Sequence, residues 1–173
     1  MLGLLFMFIS GLYMVNADIS KADQYKLFQI HKASGVIMLW AIVIRIAVRL
    51  FTQKPDLPSD FSDSDKTKAK VGHLMLYVGL VVMPMSGWFM VSASPFGLPR
   101  FVFVDWIKWP HIPGIARNKT VENIANTTHW ITALTLATLI TGHIAAVIWH
   151  KRKHGVNLLT RMWWSKSSKN EQQ

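Results

Sequence analysis

The stretch Asn126-Thr-Thr-His129-Trp-Ile-Thr-Ala-Leu-Thr-Leu-Ala-Thr-Leu-Ile-Thr-Gly142-His143-Ile-Ala-Ala-Val-Ile-Trp149-His150, running straight into Lys151-Arg152-Lys153, decides the fold class. Its two histidines stand fourteen residues apart in an otherwise apolar and threonine-rich run. On an α-helix that separation rises about 21 Å and equals two heptads, so His129 and His143 share one seam of a left-handed bundle. One helix then presents two imidazoles inward, one near each membrane face. Ionisable side chains within membrane segments mark functional sites by default. The alternative for each is a packed histidine bonded to a neighbouring backbone; a third histidine at matched depth on another span favours function.

Composition agrees with a membrane location. The 173-residue chain is 51% hydrophobic and 16% charged, with 8 Trp and 9 Phe. That is too apolar for a soluble domain of this size and suits a small polytopic protein forming one domain over residues 1–173. The net charge of +10 sits at the ends of apolar runs, where bases anchor spans to a lipid bilayer, so no nucleic-acid partner is expected. The absence of cysteine removes disulfides, thiolate-bound iron–sulfur clusters and covalently attached c-type haem. Metal chemistry must use His, Met, carboxylate or Tyr.

Four spans are expected, at about 1–15, 27–51, 71–92 and 124–149, giving an all-α membrane protein, a four-helix transmembrane bundle. The first is N-terminally short, without the basic flank or cleavage site of a signal peptide, and reads as the second part of a helix. Span two carries His31 about one turn inside its first end and Arg45 and Arg49 in its last two turns. Arg45, fourteen residues after His31, lies on the same seam at the depth of His143, where an anionic group such as a haem propionate could be held. The alternative for both arginines is an interface anchor that snorkels.

Residues 52–70, with Pro55 and Pro58, read as a loop. Span three contains Pro84, expected to kink it, and begins with His73 and Tyr77 one turn apart on one face. That pair could bind a quinone head group, or pack at the interface for structural reasons. Residues 93–121, with Pro95, Pro99, Pro110 and Pro113, read as an interfacial cap holding a short amphipathic piece around Val102 to Trp109. Asn126 reads as an N-cap of span four rather than a glycosylation acceptor.

Counting bases gives twelve on the side of the 52–70 loop and the tail, which includes Arg161, against seven on the other. The positive-inside rule then places the C-terminus in the cytoplasm, and His31 and His129 each about one turn below the outer face. Two imidazoles facing each other across a bundle, with neither cysteine nor a carboxylate cluster, fit the two axial positions of an iron porphyrin. Zinc asks for three or four ligands. Bis-histidine ligation leaves iron no open site, which favours electron transfer over oxygen activation.

Together, His31-Lys-Ala-Ser-Gly, Arg45-Ile-Ala-Val-Arg49, Gly72-His73-Leu-Met-Leu-Tyr77, Met83-Pro-Met-Ser-Gly-Trp88, His129, Gly142-His143-Ile-Ala-Ala with His150, and Arg161-Met162 resemble the bacterial cytochrome b561 family. That family is similar to the cytochrome b subunits of nickel-iron hydrogenases and formate dehydrogenases. The resemblance covers nearly the whole chain and rests on the order and spacing of these segments. It implies a multi-pass protein of the bacterial inner membrane holding two haem b groups. These would pass electrons between ubiquinone or menaquinone and a donor or acceptor on the periplasmic side, superoxide among the candidates, as a carrier or a quinone-linked oxidoreductase. An alternative is a membrane-anchor subunit wiring a partner dehydrogenase or hydrogenase to quinone; another is a haem-free relative with a structural or transport role.

The resemblance also implies ligands: His31 and His129 for the outer haem, and His143 for the inner haem. The family's remaining ligand, a histidine near the start of the first span, would fall just before Met1. The outer site is therefore complete and the inner site lacks its first-helix ligand. A coding start upstream of Met1 is the expectation, with a one-haem chain or a substitute ligand as alternatives. By depth, His73 starts about one turn too shallow to meet His143. His150, 21 residues from His129, is a rival to His143 but lies at the interface. A proton acceptor for quinol oxidation is sought among His73, Tyr77 and His150.

Overall fold

Helices α1 (Leu2–Asn16), α2 (Lys21–Phe51), α3 (Asp63–Ala93) and α4 (Lys119–His154) follow one another, with strands β1 (Arg100–Phe101) and β2 (Val104–Lys108) between α3 and α4. They are seen in a computed structural model that describes residues 2–52, 63–95, 100–101 and 104–154. Pro55, Pro58, Pro99, Arg161 and Met162 lie outside the described residues, as does the side chain of His150. By length and composition α2, α3 and α4 can each cross a membrane, and α1 is a shorter apolar helix. The all-α membrane bundle expected from sequence is the observed architecture.

The helices begin earlier than the apolar runs do. α2 starts at Lys21 rather than near Leu27, α3 at Asp63 rather than Val71, and α4 at Lys119 rather than near residue 124. Hydropathy marks where the chain enters lipid, whereas the helix continues outward through charged residues that pair three apart: Lys26 with Asp23 at 3.2 Å, Lys68 with Asp65 at 3.8 Å, Lys119 with Glu122 at 2.9 Å. The caps lie correspondingly outside. Ser20 Oγ accepts from the Asp23 amide at 3.1 Å, and Asn118 Oδ1 accepts from the Val121 amide at 3.1 Å. Asn118, not Asn126, therefore caps α4, and Asn126 falls inside the helix.

Most of the large apolar side chains face outward, Ile44, Leu74, Ile131 and Leu134 among them, while the buried set is rich in small and polar residues: Ser10, Ala33, Ser86, Ser92, Ala93 and Ala125. This inversion is what lipid asks for. Apolar surface gains nothing by leaving hydrocarbon, so small residues take the interfaces and let helices approach. Thr128, Thr135, Thr138 and Thr141 each donate to the carbonyl four residues back, satisfying hydroxyls that lipid could not.

Packing proceeds in chain order: α1 against α2, α2 against α3, and most extensively α3 against α4. Among the described residues α2 and α4 have no comparable interface.

The connection between α3 and α4 differs from the expected flat amphipathic piece. β1 and β2 pair antiparallel, with Arg100 opposite Lys108 and Phe101 opposite Val104. Val104, Trp106 and Ile107 are β-branched or aromatic and favour extended backbone. Beyond β2 the chain is tied to the end of α3: Trp88 Nε1 donates to the Pro110 carbonyl at 2.9 Å, and the Ile112 amide donates to Ser92 Oγ at 3.1 Å. Trp109 packs edge-on against Trp88 and Trp40, at centroid distances of 5.4 and 6.4 Å.

Candidate functional site

His31 is buried on α2, and its Nδ1 lies 2.9 Å from Ser10 Oγ on α1. The serine hydroxyl also lies 3.2 Å from the Met7 carbonyl one turn back. A carbonyl can only accept, so Ser10 donates to it and its oxygen accepts from the Nδ1–H of His31. On α4, His129 Nδ1 lies 3.1 Å from the Met83 carbonyl and 3.1 Å from Ser86 Oγ, and Ser86 donates to that same carbonyl at 2.8 Å. The carbonyl again fixes the tautomer, with the proton on Nδ1.

Both rings thus use Nδ1 for bonds within the protein, and among the described residues no hydrogen bond reaches either Nε2. A free Nε2 lone pair with Nδ1–H held by an oxygen is the arrangement that metal-binding histidines adopt.

The space around the rings is kept by glycine. A Cβ at Gly11 would stand 3.3 Å from His31 Cε1, and one at Gly87 would stand 3.3 Å from His129 Cε1. His31 and His129 lie within electrostatic reach of each other although, among the described residues, their helices share no extensive interface. Among the described residues no three His, Asp or Glu side chains gather in a group that could hold a metal ion. Two histidines on different helices, each with no hydrogen bond to Nε2 among the described residues, suit a haem iron better than zinc, which asks for three or four ligands.

Deeper in the bundle the structure corrects the sequence-based depth of His73. Its ring lies beside that of His143, with centroids 5.5 Å apart and planes inclined at 59°. Register explains this. α3 and α4 run antiparallel with Ser86 against His129, and thirteen residues back on α3 reaches His73 while fourteen forward on α4 reaches His143. Both steps rise about 20 Å. Among the described residues nothing from another helix lies within 4 Å of where a Cβ at Gly72 or Gly142 would stand.

Tyr77, one turn from His73, lines a cavity of about 420 Å³ with Arg49, Ile46, Val78 and Val82. Arg45 is exposed on α2, and it is Arg49, one turn further along, that reaches this cavity.

The sequence singles out the histidines but not the side chains that bond them. Ser10, Ser86, Gly11 and Gly87 carry no charge and sit in ordinary apolar runs; the one available signal was that Ser-Gly occurs in both the first and third spans.

Comparison with known proteins identifies a family. The family model described as prokaryotic cytochrome b561 matches residues 1–165. The chain is 31% identical over 104 residues to "Cytochrome b561 homolog 2" of Escherichia coli (strain K12), an alignment covering 60% of this chain and 54% of that protein. The chain thus matches about half the length of this relative.

Proposed function

The chain belongs to the prokaryotic cytochrome b561 family, a family of membrane b-type cytochromes that transfer electrons, and from that premise we propose that it links the quinone pool to a redox partner at the periplasmic side of the bacterial inner membrane. The observation that carries this is the outer histidine pair: His31 and His129, on α2 and α4, each with Nδ1–H held by an oxygen and Nε2 free. These two residues would hold haem b through their Nε2 atoms. Haem b, when bound, supplies one-electron transfer, and two histidine ligands leave its iron closed to oxygen.

A second haem b belongs at the inner depth, with His143 as a ligand and Arg45 as a cation for its propionates. His73 stands beside His143 and is the substitute ligand on hand among the described residues. The apolar cavity next to it, whose wall includes Tyr77, Arg49 and valines, is then suited to the ring of a quinone, and the Tyr77 phenol and Arg49 guanidinium would have to turn towards it to meet the quinone oxygens. Ubiquinone and menaquinone both meet that description, and the C-terminus is assigned to the cytoplasm by the positive-inside count.

Purified protein expressed with ample haem supply tests this reading. A dithionite-reduced b-type spectrum that quinol reproduces supports it. A colourless protein, or a haem protein that quinol leaves oxidised, contradicts it.

A further inference from the structure

Gly3-Leu-Leu-Phe-Met-Phe-Ile-Ser-Gly11 on α1 and Gly79-Leu-Val-Val-Met-Pro-Met-Ser-Gly87 on α3 share Gly, Leu, Met, Ser and Gly at the same five of nine positions. In apolar helices such a match by itself carries little. What gives it weight is that the shared positions meet equivalent places on the following helix. Ser10 bonds His31 and Ser86 bonds His129, and each serine also bonds the carbonyl of the shared methionine, Met7 or Met83. Gly11 and Gly87 each leave a space 3.3 Å from the Cε1 of the same histidine. At the first shared glycine, a Cβ on Gly3 would stand 2.8 Å from Met38 Sδ, and one on Gly79 would stand 2.7 Å from Leu136 Cδ2. Met38 and Leu136 each follow their histidine by seven residues. The links differ greatly, a four-residue turn after α1 and a connection with its own strands after α3, yet the pairing register is the same.

We propose that α1–α2 and α3–α4 are two copies of one helix-hairpin unit, and that in each copy the serine is a positioning residue that turns its histidine so that Nε2 faces the iron shared with the other copy. This rests on the haem reading above. Because each serine gives its own proton to a methionine carbonyl, its oxygen is left to accept from Nδ1–H. That bond fixes the ring and makes Nε2 the stronger donor, stabilising ferric iron. The two copies differ in this respect: His129 also bonds the Met83 carbonyl directly, whereas among the described residues the bond to Ser10 is the one hydrogen bond that His31 makes through Nδ1.

The test is a set of full-length variants, Ser10→Ala, Ser86→Ala, Ser10→Thr and Ser86→Thr, compared with wild type by haem retention, redox titration of the outer haem, and electron paramagnetic resonance of the ferric form. Removing a hydrogen-bond partner of a metal-bound histidine weakens binding about ten- to a hundredfold. Ser10→Ala should show that loss, with a raised midpoint potential and shifted g-values. Ser86→Ala should move the same quantities in the same direction by less, because the carbonyl remains, and the threonine variants should return all of them toward wild type. If Ser10→Ala retains no haem, Ser10→Thr decides: a wild-type potential supports the hydroxyl's role, and loss of haem there too overturns it. Wild-type potential and g-values in Ser10→Ala overturn the serine's role while leaving the haem reading standing. Wild-type protein that binds no haem overturns both.

Discussion

Gly79→Ala puts the α3–α4 interface to a quantitative test. The added Cβ would lie 2.7 Å from Leu136 Cδ2 and 3.0 Å from Leu136 Cγ. Carbon atoms in contact prefer roughly 3.5–4.0 Å, so the shortfall is about 0.8–1.3 Å. Leu136 cannot absorb it by swinging away, since it is 1% exposed and is the largest fully buried side chain among the described residues. α3 and α4 must therefore part, or Leu136 must leave its rotamer, at a cost of about 1–3 kcal/mol for overpacking.

The natural control is Gly72→Ala on the same helix, where nothing lies within 4 Å. Both variants trade a helical glycine for alanine, so the backbone contribution cancels in the comparison. Leu136 is also two turns from His129 on one helix, so a displaced α4 shifts a haem ligand. The assay is unfolding of detergent-solubilised protein, followed in parallel by helix circular dichroism and haem absorbance. Gly79→Ala should be less stable than Gly72→Ala by about 1–3 kcal/mol and should release haem more readily. Equal stability of the two would refute the packing argument.

Three further outcomes are expected. Tyr77→Phe and Arg49→Ala should each slow haem reduction by quinol while the dithionite-reduced spectrum stays as in wild type; unchanged quinol kinetics in both would remove the cavity from the account. His143→Ala and His73→Ala should each cost the inner haem and spare the outer one, read as the haem-to-protein ratio by pyridine haemochrome, and a wild-type ratio in His73→Ala would show that His73 is not a ligand. Asn118→Ala should destabilise by about 1 kcal/mol through loss of the α4 cap, whereas Asn126→Ala, inside the helix, should be close to neutral.

What could be read from the sequence was whatever periodicity and polarity expose. Apolar run lengths place four helices, and the fourteen-residue spacing of His129 and His143 together with the depth of His31 gives the expectation that His31 and His129 act as a pair. What could not be read was register. His73 looked too shallow for His143 because its depth was judged from the start of its own apolar run, while the actual level is set by Ser86 meeting His129 further along α3. The outer ribbon was missed for a related reason. Around residues 100–108 the same residues satisfy an amphipathic and an extended pattern, and the choice is made by the ties from Trp88 and Ser92 to the chain beyond β2. Ser10 and Ser86 were hidden because a serine in a membrane helix ordinarily bonds its own backbone; here each does that and holds a histidine as well.

The most direct test of the central claim is the reduced-minus-oxidised spectrum, with haem content, of wild type beside His31→Ala and His129→Ala, all expressed with supplementary haem. Wild type should show a b-type spectrum and each variant should lose the outer haem, because removing either nitrogen leaves iron with a single protein ligand on that site. Spectra and haem content identical to wild type in either variant would contradict it.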